Sequence, residues 1–116
     1  MRADEIRTIL GARFLTADAD VDVQAGFAAD LMSDVLRLGR PNSLLVTGLA
    51  APSVIYTAEM VDISVICFVR GKTPDAETVR LATSRGITLM STPLLMFESC
   101  GRLYAHGLKS APLARE

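Results

Sequence analysis

Cationic, hydroxylated and small residues gather at three short turns of this 116-residue chain. Thr47-Gly48, Arg70-Gly71-Lys72-Thr73 and Ser91-Thr92 each close an apolar run. The middle turn is the richest. Gly71 lets the backbone approach a ligand closely, and Arg70 and Lys72 bring two positive charges beside the amide-rich start of a helix at Pro74. That combination suits a phosphate or a carboxylate. Thr47, Gly48, Arg70, Gly71, Lys72, Thr73, Ser91 and Thr92 are therefore the candidate ligand-binding residues. The same residues also spell ordinary capping grammar: Thr73 can cap a helix beginning at Pro74, and Asp75 and Glu77 already complement its dipole.

Patterns for catalysis are scarcer. No Gly-x-x-x-x-Gly-Lys-Ser/Thr run makes Lys72 a phosphate-loop lysine, and no Gly-x-Gly-x-x-Gly fingerprint signals a dinucleotide cofactor. Ser33, Ser53, Ser91 and Ser99 have His106 as their sole histidine base. Cys100 precedes that histidine by six positions, which puts the two on opposite sides of a helix. Cys67 and Cys100 lie too far apart for a Cys-x-x-Cys metal or redox site and read as buried thiols. The residues thus predict no cofactor, no metal site and no enzyme. One alternative stays open. Asp30 and Asp34 fall four apart on the polar face of a predicted helix, where they are either a solvated face or a carboxylate pair. With the Arg70/Lys72 loop and a divalent ion, such a pair would make a phosphotransferase or phosphatase.

The elements that would position these turns follow from periodicity. Asp4 to Leu10 reads as a first helix capped by Gly11, then Arg13 to Thr16 as a strand and Asp18 to Asp20 as a turn. Val21, Val23 and Ala25 alternate with Asp22 and Gln24, as in a half-wet strand. Gly26 punctuates, and Ala28 to Leu38 carries the stripe Ala28, Leu31, Met32, Val35, Leu38 of a helix that Gly39 stops. Three units then repeat one order of strand, small turn, proline and helix. Their strands are Leu44–Thr47, Val65–Val69 and Ile87–Met90, and their helices run over 52–60, 74–84 and 93–105. Strands without a wet face need helices on both sides. The expected fold is therefore α/β: a three-layer α/β/α domain over 1–116 with a mostly parallel sheet of about five strands. In such a sheet ligands bind beyond the carboxyl ends of the strands, where the three turns fall.

Composition narrows the function further. Half of the residues are hydrophobic and 22% are charged, so the chain can fold without a staple and is not a disordered linker. Twelve basic residues against thirteen acidic ones give a net charge of −1, without the basic field that nucleic acid requires. With 5% aromatics and no Trp, a base-stacking platform is not expected. No uninterrupted apolar run reaches membrane-spanning length, and the acidic N-terminus lacks a signal-peptide core. The expectation is a soluble cytoplasmic protein. The last helix is apolar on two adjacent stripes, with Met96, Cys100 and Leu103 on one and Phe97 and Tyr104 on the other. Such a helix either packs over the sheet or also covers a partner subunit.

Several segments carry a family likeness. Ala29-Asp30-Leu31-Met32-Ser33-Asp34-Val35-Leu36, Thr47-Gly48-Leu49 through Pro52, and Thr57-Ala58-Glu59-Met60-Val61-Asp62-Ile63 are three of them. Val69-Arg70-Gly71-Lys72-Thr73-Pro74-Asp75 and Ser91-Thr92-Pro93 through Phe97-Glu98 complete the set. Together they resemble the DRTGG domain family, over about Asp4 to Leu108, most nearly its small stand-alone members found beside iron-hydrogenase and anti-sigma-factor-like kinase genes. The literal Asp-Arg-Thr-Gly-Gly string is absent, with Thr47-Gly48 and Arg70-Gly71 the nearest matches. The resemblance implies an accessory regulatory module, such as accompanies CBS domains in family II pyrophosphatases or occurs in phosphotransacetylases. It also implies a fold similar to the N-terminal domain of HPr kinase/phosphorylase and a tendency to dimerise. The expected function is thus a non-catalytic, homodimeric regulatory or interaction module with a protein partner and a small anionic or nucleotide effector.

Overall fold

Hydrophobic residues alternate along three central strands and supply two cores, one on each face of a single sheet. In the computed structural model, which describes residues 1–112, the order is α1 (Ala3–Leu10), β1 (Arg13–Phe14), β2 (Ala25–Ala28), α2 (Met32–Leu38) and β3 (Ser43–Thr47). It continues with α3 (Pro52–Met60), β4 (Val65–Phe68), α4 (Ala76–Ser84), β5 (Thr88–Ser91) and α5 (Met96–Ala105). Every residue of β3, β4 and β5 is buried. Leu44, Val46, Val65, Cys67 and Met90 pack with Ile6, Leu10 and Leu103 of α1 and α5. Leu45, Ile66, Phe68 and Leu89 point the other way, onto Val35, Val54, Ile55, Ala58 and Ala82 of α2, α3 and α4. This is the three-layer α/β/α arrangement that fully apolar strands require.

The sheet runs β1-β5-β4-β3-β2. β2, β3, β4 and β5 are mutually parallel, and the short β1 joins β5 antiparallel. Its pairing continues past Phe14, where the Leu15 N–H donates to the Leu89 carbonyl at 2.9 Å and the Leu89 N–H to Thr16 Oγ1 at 3.1 Å. Ile63 and Ile87, which follow α3 and α4 at matching places, are both buried beneath those helices. Among the described residues no helix is long and apolar enough to cross a membrane.

Several boundaries differ from the sequence reading. The alternation over Val21–Ala25 predicts a strand, but these residues serve the N-terminus: the Ala3 N–H donates to the Val21 carbonyl and the Val23 N–H to the Met1 carbonyl, each at 2.8 Å. The strand lies instead at Ala25–Ala28, through the glycine that reads as punctuation. A Cβ on Gly26 would sit 2.9 Å from Leu108 Cδ2, and the Gly26 N–H donates to the Lys109 carbonyl at 3.0 Å. Glycine there admits the segment after α5 against the sheet edge. With Ala28 in the strand, α2 starts only at Met32, so Asp30 and Asp34 do not share a helical face.

Proline opens a helix once. Pro52 is the first residue of α3, whereas Pro74 and Pro93 stand ahead of α4 and α5. Thr73 accordingly does not cap α4. Asp75 does, its Oδ1 accepting the Thr78 N–H at 2.8 Å. With α4 beginning at Ala76, Thr73 lies two positions ahead of the cap, too far back to serve the N–H of the second or third helical residue. Thr78, through its side chain and its backbone N–H, holds the Asp75 carboxyl below its ordinary pKa.

Candidate functional site

Strand register decides whether the three turns meet. Thr47 is paired with Phe68, and Phe68 with Ser91, so Thr47-Gly48, Arg70-Gly71-Lys72 and Ser91-Thr92 leave the sheet side by side at its carboxyl edge. Backbone hydrogen bonds sew them together. The Val69 N–H donates to the Thr47 carbonyl at 3.0 Å, and the Thr92 N–H to the Phe68 carbonyl at 2.9 Å. The Gly71 N–H reaches the Thr92 carbonyl and the Arg70 N–H the Leu94 carbonyl, both at 2.8 Å. This last bond explains why α5 starts late, since Pro93-Leu94-Leu95 is held as a bend against the middle turn.

Hydroxyls complete the lacing. Thr92 Oγ1, fully buried, donates to the Leu10 carbonyl at 2.6 Å and accepts the Leu94 N–H at 3.2 Å. Thr47 Oγ1 repeats the pattern, accepting the Leu49 N–H at 3.2 Å and donating to Asp30 Oδ1 at 3.1 Å. Ser91 Oγ donates to the Lys72 carbonyl at 2.8 Å. Thr47, Gly48, Ser91 and Thr92 are thus buried scaffold, while Arg70, Gly71, Lys72 and Thr73 are exposed above it.

The middle turn is bent sharply. Arg70 and Gly71 both take left-handed conformations, at φ 59° and 67°. Glycine adopts that region freely; for arginine it is uncommon and is sustained by the bond to Leu94. The bend places the guanidinium over Gly48. A Cβ on Gly48 would lie 2.9 Å from Arg70 Nη2 and 3.5 and 3.6 Å from the Asp30 carboxylate oxygens. A larger residue there would displace the guanidinium from this position.

Asp30 is the residue that sequence reasoning placed elsewhere. In the loop between β2 and α2, its Oδ1 accepts the Gly48 N–H at 2.7 Å as well as the Thr47 hydroxyl. The available signal was an acidic residue just ahead of an apolar stripe, which marks a helix start better than a helix interior. This placement removes the helical carboxylate pair behind the enzymatic alternative.

The chemistry on offer is cationic. The N–H groups of Gly48, Arg70, Gly71 and Lys72 already have protein acceptors, Lys72 through the Val69 carbonyl at 3.1 Å. The turn therefore offers no open amide cradle. Its two cationic side chains are exposed on a hydrogen-bonded backbone, and among the described residues neither is in an ion pair. The sulfur and imidazole groups lie elsewhere. Cys67 is buried in β4, where burial pushes its thiol up to about 12, and the half-buried Cys100 thiol is raised for the same reason. His106 ends α5 with Nδ1 2.8 Å from the Arg102 carbonyl.

No family model matches this sequence, and no curated protein matches it. A solved structure does match: the CBS and DRTGG domains of the regulatory region of Clostridium perfringens pyrophosphatase, complexed with the activator diadenosine tetraphosphate. The TM-score is 0.70 at 16% identity, over 97% of this chain and 52% of that one. The likeness shows a shared fold, and this chain spans about half the length of that regulatory region.

Proposed function

We propose that this chain is a non-catalytic regulatory module that pairs with itself and binds a small anionic effector, of nucleotide type, at the carboxyl edge of its sheet. The observation that carries the reading is the Arg70-Gly71-Lys72 turn. It presents two cationic side chains to solvent from a backbone tied to two neighbouring turns. The fixed backbone lowers the ordering cost of binding to that of the two side chains, and charge-assisted hydrogen bonds favour phosphate groups. The fold likeness supports the same reading, because the matching regulatory region is complexed with a dinucleoside polyphosphate activator. A bound effector would bias a protein partner through the turns that anchor α3, α4 and α5.

Thermal denaturation with diadenosine tetraphosphate, ADP and inorganic phosphate tests the proposal. Ligand at one hundred times its dissociation constant stabilises by about 2.7 kcal/mol, a shift on the order of ten degrees in a domain of this size. The expected result is such a shift with at least one nucleotide for the native sequence and its loss in the Arg70→Ala/Lys72→Ala double variant. Equal shifts in both proteins, or none in either, overturn the effector site.

A further inference from the structure

Among the described residues one face of α5 is open at Phe97 and Gly101, and the Lys109 ammonium stands over the Tyr104 ring, 3.6 Å from its centroid. Phe97 is 92% exposed and Tyr104 60%, and Gly101 lies between them at i, i+4, i+7 spacing. A Cβ built on Gly101 would meet no atom within 4 Å. Neither crowding nor backbone conformation within the chain calls for glycine there, although mid-helix glycine is less favourable than alanine. Beside this stripe, Cys100, Leu103 and Tyr104 of α5 wall a mostly apolar cleft with Leu44, Val46 and Leu108, about 220 Å³ in volume and lined also by Lys109. Enclosed cavities of about 150 Å³ already admit benzene, so the volume suffices for a phenyl ring. Phe97 of the same chain points to solvent rather than into the cleft.

The charges on this helix select the occupant. Glu98 and Arg102 flank the stripe one turn apart, paired at 2.8 Å. When two copies of α5 cross antiparallel near Cys100 and Gly101, each Glu98 faces the other copy's Arg102, so the pattern is complementary to itself. We propose that two copies of this chain pair through α5, crossing close together at Gly101, with each Phe97 ring seated in the other copy's apolar cleft. The proposal rests on the reading of the chain as a module that pairs with itself, and it assigns the face.

Sedimentation velocity over a concentration series tests it, on the full chain and on Phe97→Glu and Gly101→Gln. Both substituted positions are open to solvent in the single chain, so thermal melts of dilute protein should match the native sequence or, for Gly101→Gln, exceed it. The expected result is a dimer for the native sequence and at least a hundredfold weaker association for each variant. Undiminished dimerisation of either variant overturns the α5 face and leaves self-pairing standing. A monomeric native chain at millimolar concentration overturns both.

Discussion

The Gly48 N–H and the Asp30 carboxylate, eighteen residues apart in the chain, are joined by a 2.7 Å hydrogen bond at the carboxyl edge of the sheet. Through it the β2–α2 loop is tied to the end of β3, directly beneath the Arg70 guanidinium. A backbone N–H bonded to a carboxylate is among the stronger protein hydrogen bonds, although exposure of Asp30 weakens it. Asp30→Ala is expected to lower stability by about 1–2 kcal/mol in urea unfolding, and Asp30→Asn, which keeps an acceptor, by less than half of that. Equal losses from both variants would show that the carboxylate's acceptor role is not what matters.

Thr92 is the pin that fastens the last turn to the first helix. Replacing it with valine keeps the shape but leaves the Leu10 carbonyl and the Leu94 N–H without their hydroxyl partner. Buried groups orphaned in this way cost about 1–3 kcal/mol. Thr92→Val is expected to lose that much, whereas Thr8→Val, whose hydroxyl bonds the Asp4 carbonyl at an exposed site, should change stability by less than about 0.5 kcal/mol. Matching losses at the two positions would contradict the pinning role.

Much of this arrangement was legible in the sequence because the apolar runs Leu44–Thr47, Val65–Val69 and Ile87–Met90 are too uniformly hydrophobic for anything but central strands. Their turns then had to share an edge, and the Thr47–Phe68–Ser91 register places them there. Val21–Ala25 misled because its alternation reflects pairing with the N-terminus, a contact between distant residues that no local pattern carries. Asp30 was misplaced for the same reason. Its partners, Thr47 and Gly48, are remote in sequence, and the helical stripe drawn through Ala28 and Leu31 ignored that the chain there belongs to a strand and a loop. The backbone N–H groups of the middle turn looked available from sequence. They are consumed by the carbonyls of Thr92, Leu94 and Val69.

Cys67 gives the fold a pH dependence at the alkaline end. Burial lifts its thiol from 9.0 to about 12. Between those values the unfolded chain releases a proton that the folded chain keeps, so the unfolded state binds fewer protons and stability falls as pH rises. By pH 10.5 this contributes a loss of roughly 2 kcal/mol. Urea unfolding of the native sequence and of Cys67→Ala at pH 8 and pH 10.5 isolates the effect. The stability advantage of the native sequence is expected to shrink by about that amount at the higher pH, and an unchanged gap would show that the thiol ionises alike in both states.

Residue-resolved amide spectra recorded during titration with diadenosine tetraphosphate show whether the Arg70-Gly71-Lys72 turn receives an anionic effector. Saturable shifts of the Gly48, Arg70, Gly71, Lys72 and Thr73 resonances are expected, all lost in the Arg70→Ala/Lys72→Ala variant. Stationary resonances at those five positions, with ligand saturating elsewhere on the chain or not at all, would contradict the effector site.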